Sequence, residues 1–367
     1  MGKRELLIIA AFIAIGVVAF EVSAPPAPEG RSFSLARFFD AARRNMRGNS
    51  AVASTTLTGD IPLASSVTEV RISGANRGVH VVGENRTSIA YELHVESDGP
   101  DDATALASAK RASLKQDDLG TSLALTVTYP KEGQQWGALV MRVPARLAVR
   151  VGGGGGADVS AVRSVDLDQV SGATSIREIS GAVTGSHRNG DLAIENVGAA
   201  DLNLASSRAK ITGVEHNIVM TSRSGRVDIS GAKGVIEIDE NNQEITIHNP
   251  AGSVRVTGTA GHVTVDEPKQ EVKVDCRRTE VELTLSQSVP ATLLTTDETI
   301  RLTLAGTPQI ALDAAASEGG VIHAEDLGLD VKSEEGEQRV THNFGASPTA
   351  RVTLRSARGN IVIRKAK

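Results

Sequence analysis

The chain has 367 residues, 40% of them hydrophobic, which is enough for one or two domains with a substantial core. Its formal net charge of −5 gives no electrostatic reason to expect nucleic-acid binding, and its single cysteine, Cys276, excludes an intramolecular disulfide. Only 2% of the residues are aromatic, and five of the six Phe lie before residue 40, so the core of the remaining chain must be aliphatic.

The chain begins with an apolar segment, Leu6 to Phe20, preceded by Lys3 and Arg4. As a helix it would be about 22 Å long, which suits a signal-peptide core or a short anchor better than a full membrane span. Pro25 would follow the cut in a small-x-small cleavage site, so we predict an uncleaved signal anchor over residues 1–24. A cleaved signal peptide and a buried core helix are the alternatives. Basic residues on both sides balance, so charge does not fix the orientation.

Residues 25–49 are predicted to form a proline-rich linker followed by a basic amphipathic helix. The helix is expected from Ser34 to Met46, where apolar residues follow helical spacing and four arginines flank them, with Gly48 as a stop. Such a helix either lies at the membrane surface or packs on the folded body.

Residues 50–151 alternate apolar and polar residues in short segments that predict strands. The apolar members are Val70/Ile72, Val79/Val81, Leu123/Leu125/Val127 and Leu139/Met141/Val143. One alanine-rich stretch, Asp101 to Lys115, predicts the only helix of this region.

A nine-residue repeat follows. Each unit carries two apolar residues at positions i and i+2, and from Ile218 every pair begins nine residues after the last. The pairs are Ile218/Met220, Val227/Ile229, Ile236/Ile238, Ile245/Ile247, Val254/Val256, Val263/Val265, Val272/Val274 and Val281/Leu283. Upstream pairs keep the period with small slips: Val165/Leu167, Leu192/Ile194, Leu202/Leu204 and Ala209/Ile211. Strands resume at Val352/Leu354 and Ile361/Ile363.

The spacing predicts short strands that bury both members of a pair on one face, while the residue between them faces water. These intervening residues are Asp228, Glu237, Thr246, Arg255, Thr264, Lys273 and Glu282, which we expect to form one mixed, solvated column. Turn formers such as Ser230-Gly231, Asn241-Asn242 and Asn249-Pro250 separate the pairs.

Two units give a coil of about 18 residues, so the predicted fold is an all-β, single-chain β-solenoid with nine-residue half-rungs. A sandwich of hairpins is the rival. We expect one continuous body over residues 50–367, made of N-terminal strands (50–151), the regular repeat (152–290) and C-terminal strands (291–367).

Five consecutive glycines, Gly152 to Gly156, invite several interpretations. A phosphate-binding loop would need Lys and Ser/Thr where Ala157 and Asp158 follow, and a dinucleotide fingerprint would need a following helix. A calcium-binding nonapeptide fits Gly153, Gly154, Gly156 and Asp158, but Ser160 replaces its apolar anchor. We predict that the run forms part of the strand wall or its turn, because glycine allows positive φ and close backbone stacking.

Histidines of the repeat region (His187, His216, His248 and His262) are interpreted as surface or corner residues rather than metal ligands, because simple stacking does not align His248 with His262. Arg277 and Arg278 follow Cys276 and would lower the pKa of an exposed thiol, but no histidine is in register with it. A corner or partly buried thiol is therefore favoured.

The order of these motifs resembles a known family. The segments "VRISGANRGVHVVGE", "LALTVTYP" and "ALVMRVPARLAVRV", then "ISGAVTG", "ITGVEHN" and "DISGAKG", and finally "ARVTLRSARGNIVIRK", are similar to the bacterial putative-adhesin domain of unknown function, a toastrack-like β-helix family. The resemblance covers roughly residues 63–365. It implies a single-chain β-helix displayed outside a bacterial membrane, with no catalytic residues to transfer.

The sequence therefore predicts a non-enzymatic, membrane-anchored, extracytoplasmic β-helix that serves as a scaffold, adhesin-like surface or partner-binding module. A carbohydrate-active solenoid enzyme and an accessory subunit of an envelope-stress signalling system are the alternatives. No catalytic, cofactor-binding or metal-binding residue is predicted. Expected partners are the membrane, through the N-terminal segment, and an envelope protein or polysaccharide. Self-association through unpaired strand edges at the solenoid ends is also expected.

Overall fold

A computed structural model describes residues 51–131, 134–324 and 327–366 of the chain. The predicted anchor (1–24) and the predicted amphipathic helix (34–46) lie outside the described residues. Within them the protein is almost entirely β, as the sequence predicts. None of the helices in this part of the chain is long and apolar enough to cross a membrane.

The described residues form 25 strands and one α-helix. The elements before the regular repeat are β1 (Ala51–Pro62), β2 (Glu69–Ser73), β3 (Val79–Glu84), β4 (Ser88–Gly99), α1 (Asp102–Ala109), β5 (Ser113–Asp118), β6 (Ser122–Thr128), β7 (Gln135–Pro144) and β8 (Ala148–Gly154). The next are β9 (Ala157–Ser160), β10 (Ser164–Ser171), β11 (Thr174–Val214), β12 (Ile218–Ser230), β13 (Ile236–His248), β14 (Val254–Thr259), β15 (His262–Asp266), β16 (Val272–Arg277) and β17 (Glu280–Leu285). The last are β18 (Ala291–Thr296), β19 (Ile300–Leu304), β20 (Ile310–Ser317), β21 (Ile322–His323), β22 (Lys332–Glu334), β23 (Glu337–Phe344), β24 (Ala350–Ala357) and β25 (Ile361–Lys365).

The chain divides into two compact units. Of the described residues, the smaller contains 51–55, 96–111, 130–131 and 134–135. In it, Asp101 caps helix α1 by accepting a hydrogen bond from the backbone N–H of Thr104 at 2.7 Å. The buried amide Nε2 of Gln135 donates to Ser108 Oγ at 2.8 Å, which satisfies both polar groups.

Of the described residues, the larger unit contains 56–95, 112–129, 136–324 and 327–366. Its repeat pairs strands in parallel at an offset of 18 residues. Ile218 lies beside Ile236, and Ile236 lies beside Val254. The pairs that begin nine residues later form a second series, in which Val227 lies beside Ile245. Neighbouring strands of a hairpin sandwich would be antiparallel, so that rival is excluded for this segment.

We call the first series ladder 1 and the second ladder 2. Ladder 1 contains the first halves of β12 and β13, followed by β14, β16 and β18. Ladder 2 contains their second halves, followed by β15, β17 and β19. Successive nine-residue units therefore alternate between the two ladders, and all sixteen residues of the eight apolar pairs are buried.

The alternation corrects one prediction. The residues between the apolar pairs form two outward columns, not one. Glu237, Arg255 and Lys273 are aligned on ladder 1, and Asp228, Thr246, Thr264 and Glu282 on ladder 2. The physical reason is that an interval of nine residues is half a coil, so only residues 18 apart become neighbours.

Corners between the ladders are marked by a residue with left-handed backbone at a constant place in each coil. At one corner these residues are Ser206, Ser224, Asn242, Ala260 and Arg278, and at the other Glu178, Asn196, Gly213, Gly231, Asn249 and Glu267. Asn242, Gly231 and Asn249 belong to turns predicted from composition. Ala260 lies between Gly258 and Gly261, which also predict a turn, whereas no glycine, asparagine or proline adjoins Arg278.

Both ends of the ladders share an order of strands that differs from the order along the chain. β2 lies between β6 and β8, and β3 lies between β7 and β9. At the other end β24 lies between β18 and β20, and β25 between β19 and β21. The spatially outermost strands are therefore internal to the sequence.

Antiparallel strands cover both ends of ladder 1. The charged strand β5 pairs with β6, and β23 pairs with β20 and then with the fully exposed β22. Short charged edge strands disfavour pairing with another sheet.

Two further predictions fall in this region. The predicted helix Asp101–Lys115 is too long: α1 ends at Ala109, and Ser113 to Lys115 belong to β5, because pairing with β6 outweighs local helix propensity. The glycine run is part strand and part turn, as predicted: Gly152 and Gly154 pair with β10, and Gly153, Gly155 and Gly156 have positive φ.

Candidate binding surface

The outer face of ladder 2 carries a groove of about 800 Å³ in the larger unit, a size ordinary for ligand sites. It crosses β7, β3, β9, β11 and the second half of β12. Its surface is mostly apolar, although it lies on the side of the sheet that faces water.

Small residues form part of the floor of the groove. Ala138 and Ala193 face outward on β7 and β11, and Gly156 and Ala173 lie in the turns immediately before β9 and β11. Larger outward side chains, among them His80, Asp158 and Lys210, line the groove beside them. We call it the ladder 2 groove.

Charged residues of both signs form the rim of the ladder 2 groove. At one side His80 Nδ1 lies 3.1 Å from Asp158 Oδ2, and Arg177 Nη2 donates to Asp158 Oδ1 at 3.0 Å. Further along, Arg208 Nε donates to Asp191 Oδ1 at 2.7 Å, and Arg226 pairs with Glu244. These pairs are exposed, so each contributes little to stability and remains available to a partner.

One end of the ladder 2 groove has an aromatic side chain close by. The guanidinium of Arg77, which lines the groove, lies 5.3 Å from the centre of the Trp136 ring, a cation–π distance. Asn76 supports this end by accepting from the backbone N–H of Gly137 at 2.8 Å. Partial burial raises the pKa of the nearby Tyr129, whose hydroxyl lies 3.4 Å from Asn76 Oδ1.

The outward carboxylates of the repeat, which a carbohydrate-active enzyme would need, are not assembled into an acid–base pair. Asp228 lines the groove, Glu282 lies three strands away and pairs with Arg301 Nε at 3.1 Å, and Glu237 is on ladder 1. Glycoside hydrolysis needs two carboxyl groups on either side of one bond.

The histidines have different environments. His187 is a buried residue at the corner between the ladders: its Nδ1 lies 2.9 Å from Ser207 Oγ, and its Nε2 lies 2.9 Å from the Gly172 carbonyl oxygen. Desolvation lowers its pKa, which favours the neutral imidazole. His248 and His262 are partly exposed on ladder 2, where each pairs with an acidic residue of the next strand at 3.2 Å, Asp266 and Glu280.

Cys276 is buried at the corner where ladder 1 passes to ladder 2. Burial, with a smaller effect of Glu240, raises the pKa of its thiol to about 12, so the following arginines do not activate it.

A column of buried polar residues at this same corner was not predicted. Its members include His187, Ser207, Ser222, Glu240, Gln243, Thr279, Thr295 and Ser356. Glu240 Oε1 accepts from Thr279 Oγ1 at 2.9 Å, and burial raises the pKa of Glu240. Glycines 258 and 261 stand one coil later at the positions of Glu240 and Gln243, and a Cβ at Gly261 would lie 2.6 Å from Glu240 Oε2. The sequence feature that could have predicted this column is the pair of glycines that follows two polar residues at an interval of 18.

Among residues 51–131, 134–324 and 327–366, no group of three or more His, Cys, Asp or Glu side chains is arranged to hold a metal ion. Asp158, the acidic residue of the calcium-nonapeptide interpretation, is paired with His80 and Arg177.

No family model matches the chain, and no curated protein matches it. Among solved structures, a putative cell adhesion protein from Clostridium sporogenes is 12% identical, with a TM-score of 0.21, over 86% of this chain and 100% of that one. A putative adhesin from Parabacteroides merdae is 12% identical, with a TM-score of 0.29, over 85% and 97%. A putative adhesin from Bacteroides fragilis is 10% identical, with a TM-score of 0.21, over 85% and 97%.

These neighbours are named putative adhesins, and the repeat units of the sequence resemble the putative-adhesin family. At these identities and TM-scores the likeness is no basis for assigning a ligand or an activity, which have to follow from the surfaces of this chain.

Proposed function

We propose that this chain is a non-enzymatic, adhesin-like β-solenoid that binds a partner polypeptide through the ladder 2 groove. The observation that carries the proposal is an apolar groove of about 800 Å³ on a water-facing sheet, bordered by ion pairs of both signs. Parallel strands that recur every 18 residues support a continuous solenoid.

A polypeptide suits the ladder 2 groove better than a sugar does. Sugar rings usually stack on aromatic side chains, and the floor has alanine and glycine, with Trp136 near one end only. A peptide segment with small apolar and charged side chains would bury apolar surface on the floor, and its charged groups would form ion pairs with the charged residues of the rim.

The proposed location is outside a bacterial membrane, on the N-terminal anchor predicted for residues 1–24. Protease treatment of intact cells, followed by fractionation, tests it: the β body should be digested while a membrane-bound N-terminal fragment remains. Protection of the body in intact cells would contradict this location.

Site-specific photo-crosslinking tests the ladder 2 groove. A benzophenone amino acid replaces Ala193 on the floor or, as the control, Thr246, an outward residue of ladder 2 outside the groove. Position 193 should give a discrete adduct that a protease digests, and Arg208→Gln/Arg226→Gln should weaken it. Equal adducts from both positions, or a protease-resistant adduct indicating polysaccharide, would contradict a polypeptide in the groove.

A further inference from the structure

A cluster of arginines lies on the outer face of ladder 1, at the end formed by β23, β20 and β24. At its centre is Asp313 on β20, whose side chain is 9% exposed. Its carboxylate accepts hydrogen bonds from Arg339 at 3.1 and 3.3 Å, from Arg351 at 3.1 Å and from Arg355 at 2.8 Å. We call these four residues the Asp313 cluster.

The strand register explains why the arginines meet. Arg339 on β23 and Arg355 on β24 are the Cα partners of the same residue, Ala315, on its two sides. Arg351 is two pairs away from Asp313 on the same face of β24. The small side chain of Ala315 leaves room above the sheet, so long arginine side chains from both neighbours can reach Asp313.

Charge in the Asp313 cluster is not balanced. Three guanidinium groups surround one carboxylate, which leaves an excess of two positive charges on a chain whose net charge is −5. Burial alone would raise the pKa of Asp313, but Arg355, with Arg351 and Arg339, holds it below its usual value. The carboxylate therefore stays ionised at neutral pH and keeps the arginines together.

The arginines retain donors for another acceptor. Arg339 and Arg351 each bond Asp313 through Nη2, and no other acceptor among the described residues takes a hydrogen bond from them. Their side chains are 54% and 70% exposed. An arginine fork with free Nε and Nη1 groups suits the oxygen atoms of phosphate.

We propose that the Asp313 cluster binds a phosphate group, either free or carried on a polymer. A phosphate monoester has about −1.5 to −2 charges at neutral pH, which matches the excess of two positive charges. Lys332, the Cα partner of Arg339, adds a cation at one side. Glu334 and Glu337 face each other two positions further along this hairpin and limit the basic surface there.

Fluorescence anisotropy with labelled polyphosphate tests the proposal on the whole protein. The unmodified protein should bind the probe, with an affinity that falls as salt is added. Arg339→Gln/Arg351→Gln should weaken binding at least tenfold. The matched control is Arg223→Gln/Arg255→Gln, which removes the same two charges from exposed positions outside both the cluster and the groove and should leave binding unchanged.

Competition with inorganic phosphate separates the two sources. Displacement of the probe at millimolar phosphate assigns a single free phosphate group, whereas resistance to displacement assigns phosphate carried on a polymer. If the unmodified protein does not bind polyphosphate, or if both double variants lose affinity equally, the proposal is wrong. Arg351→Gln alone, at the most exposed member of the cluster, keeps the test valid if the double variant unfolds. Groove crosslinking is measured separately, so either site can fail without the other.

Discussion

Gly156→Ala probes how tightly the glycine run is built into the ladders. Gly156 has φ +82°, and an added Cβ would overlap the carbonyl oxygen of Ala173 on the neighbouring coil. Its own N–H donates to the Ser171 carbonyl at 2.8 Å, and its carbonyl accepts from the Val79 N–H at 3.3 Å. The backbone is therefore held on both sides and cannot move away from a new side chain without breaking a hydrogen bond.

The expected loss of stability has two parts. An L-residue in the left-handed region costs about 1–2 kcal/mol, and forcing a methyl group into packed backbone costs about 1–3 kcal/mol. The reduced freedom of the unfolded chain returns about 0.4–1 kcal/mol. Gly156→Ala should thus lose about 2–4 kcal/mol. Gly153 also has positive φ, but a Cβ there would have nothing within 4 Å, so Gly153→Ala should show only the conformational part.

Urea unfolding, monitored by far-ultraviolet circular dichroism, measures the free energy of unfolding of both variants and of the unmodified protein. The slope of each transition shows whether the cooperativity has changed. Gly156→Ala should be the less stable by about 1–3 kcal/mol, the part assigned to the overlap. Equal losses in the two variants would refute the close stacking of the run on its neighbouring coil.

Three further changes test the corner between the ladders. Glu240→Gln should stabilise the protein by about 1–3 kcal/mol at pH 7 and much less at pH 4, as measured by urea titrations. Because burial raises the pKa of Glu240, the cost of ionising it appears only as the pH rises above its pKa in the unfolded chain. A gain in stability that does not depend on pH would contradict an ionisation effect. In the folded protein Cys276 should not react with iodoacetamide at pH 8, whereas in urea it should, with labelling measured by mass spectrometry. Fast labelling of the folded state would show that the corner opens. Ala260→Gly should raise the free energy of unfolding by about 0.5–1 kcal/mol, because Ala260 has φ +63° and glycine adopts this conformation without strain. Ala251→Gly at the opposite corner is the control and should not raise it, because Ala251 does not have positive φ. A loss of stability in Ala260→Gly would exclude backbone strain at that position.

The regular part of the fold follows from local pattern. A pair of aliphatic residues at i and i+2 can bury both side chains only on a short strand, and turn formers every nine residues force the chain to bend. These two features predicted the strands, the interval of 18 residues between stacked neighbours and the turn at Asn242. They also placed the glycine run in the strand wall.

Features that depend on pairing between distant strands were not predictable. Ser113 to Lys115 appear helical by composition, and only β6 makes them a strand. The ladder 2 groove brings together small residues from β7, from β11 and from the turns before β9 and β11, although 55 positions separate Ala138 from Ala193. The Asp313 cluster likewise needs β23 and β24 on either side of β20.

The position of β24 and β25 between strands that precede them in the chain has a consequence for biosynthesis. β20 to β23 leave the ribosome first but have no parallel neighbour on which to stack until β24 and β25 arrive. Up to that moment β18, β19, β20 and β21 present unpaired edges that can bind other chains. A chain interrupted after β23 would keep these edges unpaired. This order of strands therefore makes stable folding conditional on completing β24 and β25, and it exposes prematurely terminated chains to quality control.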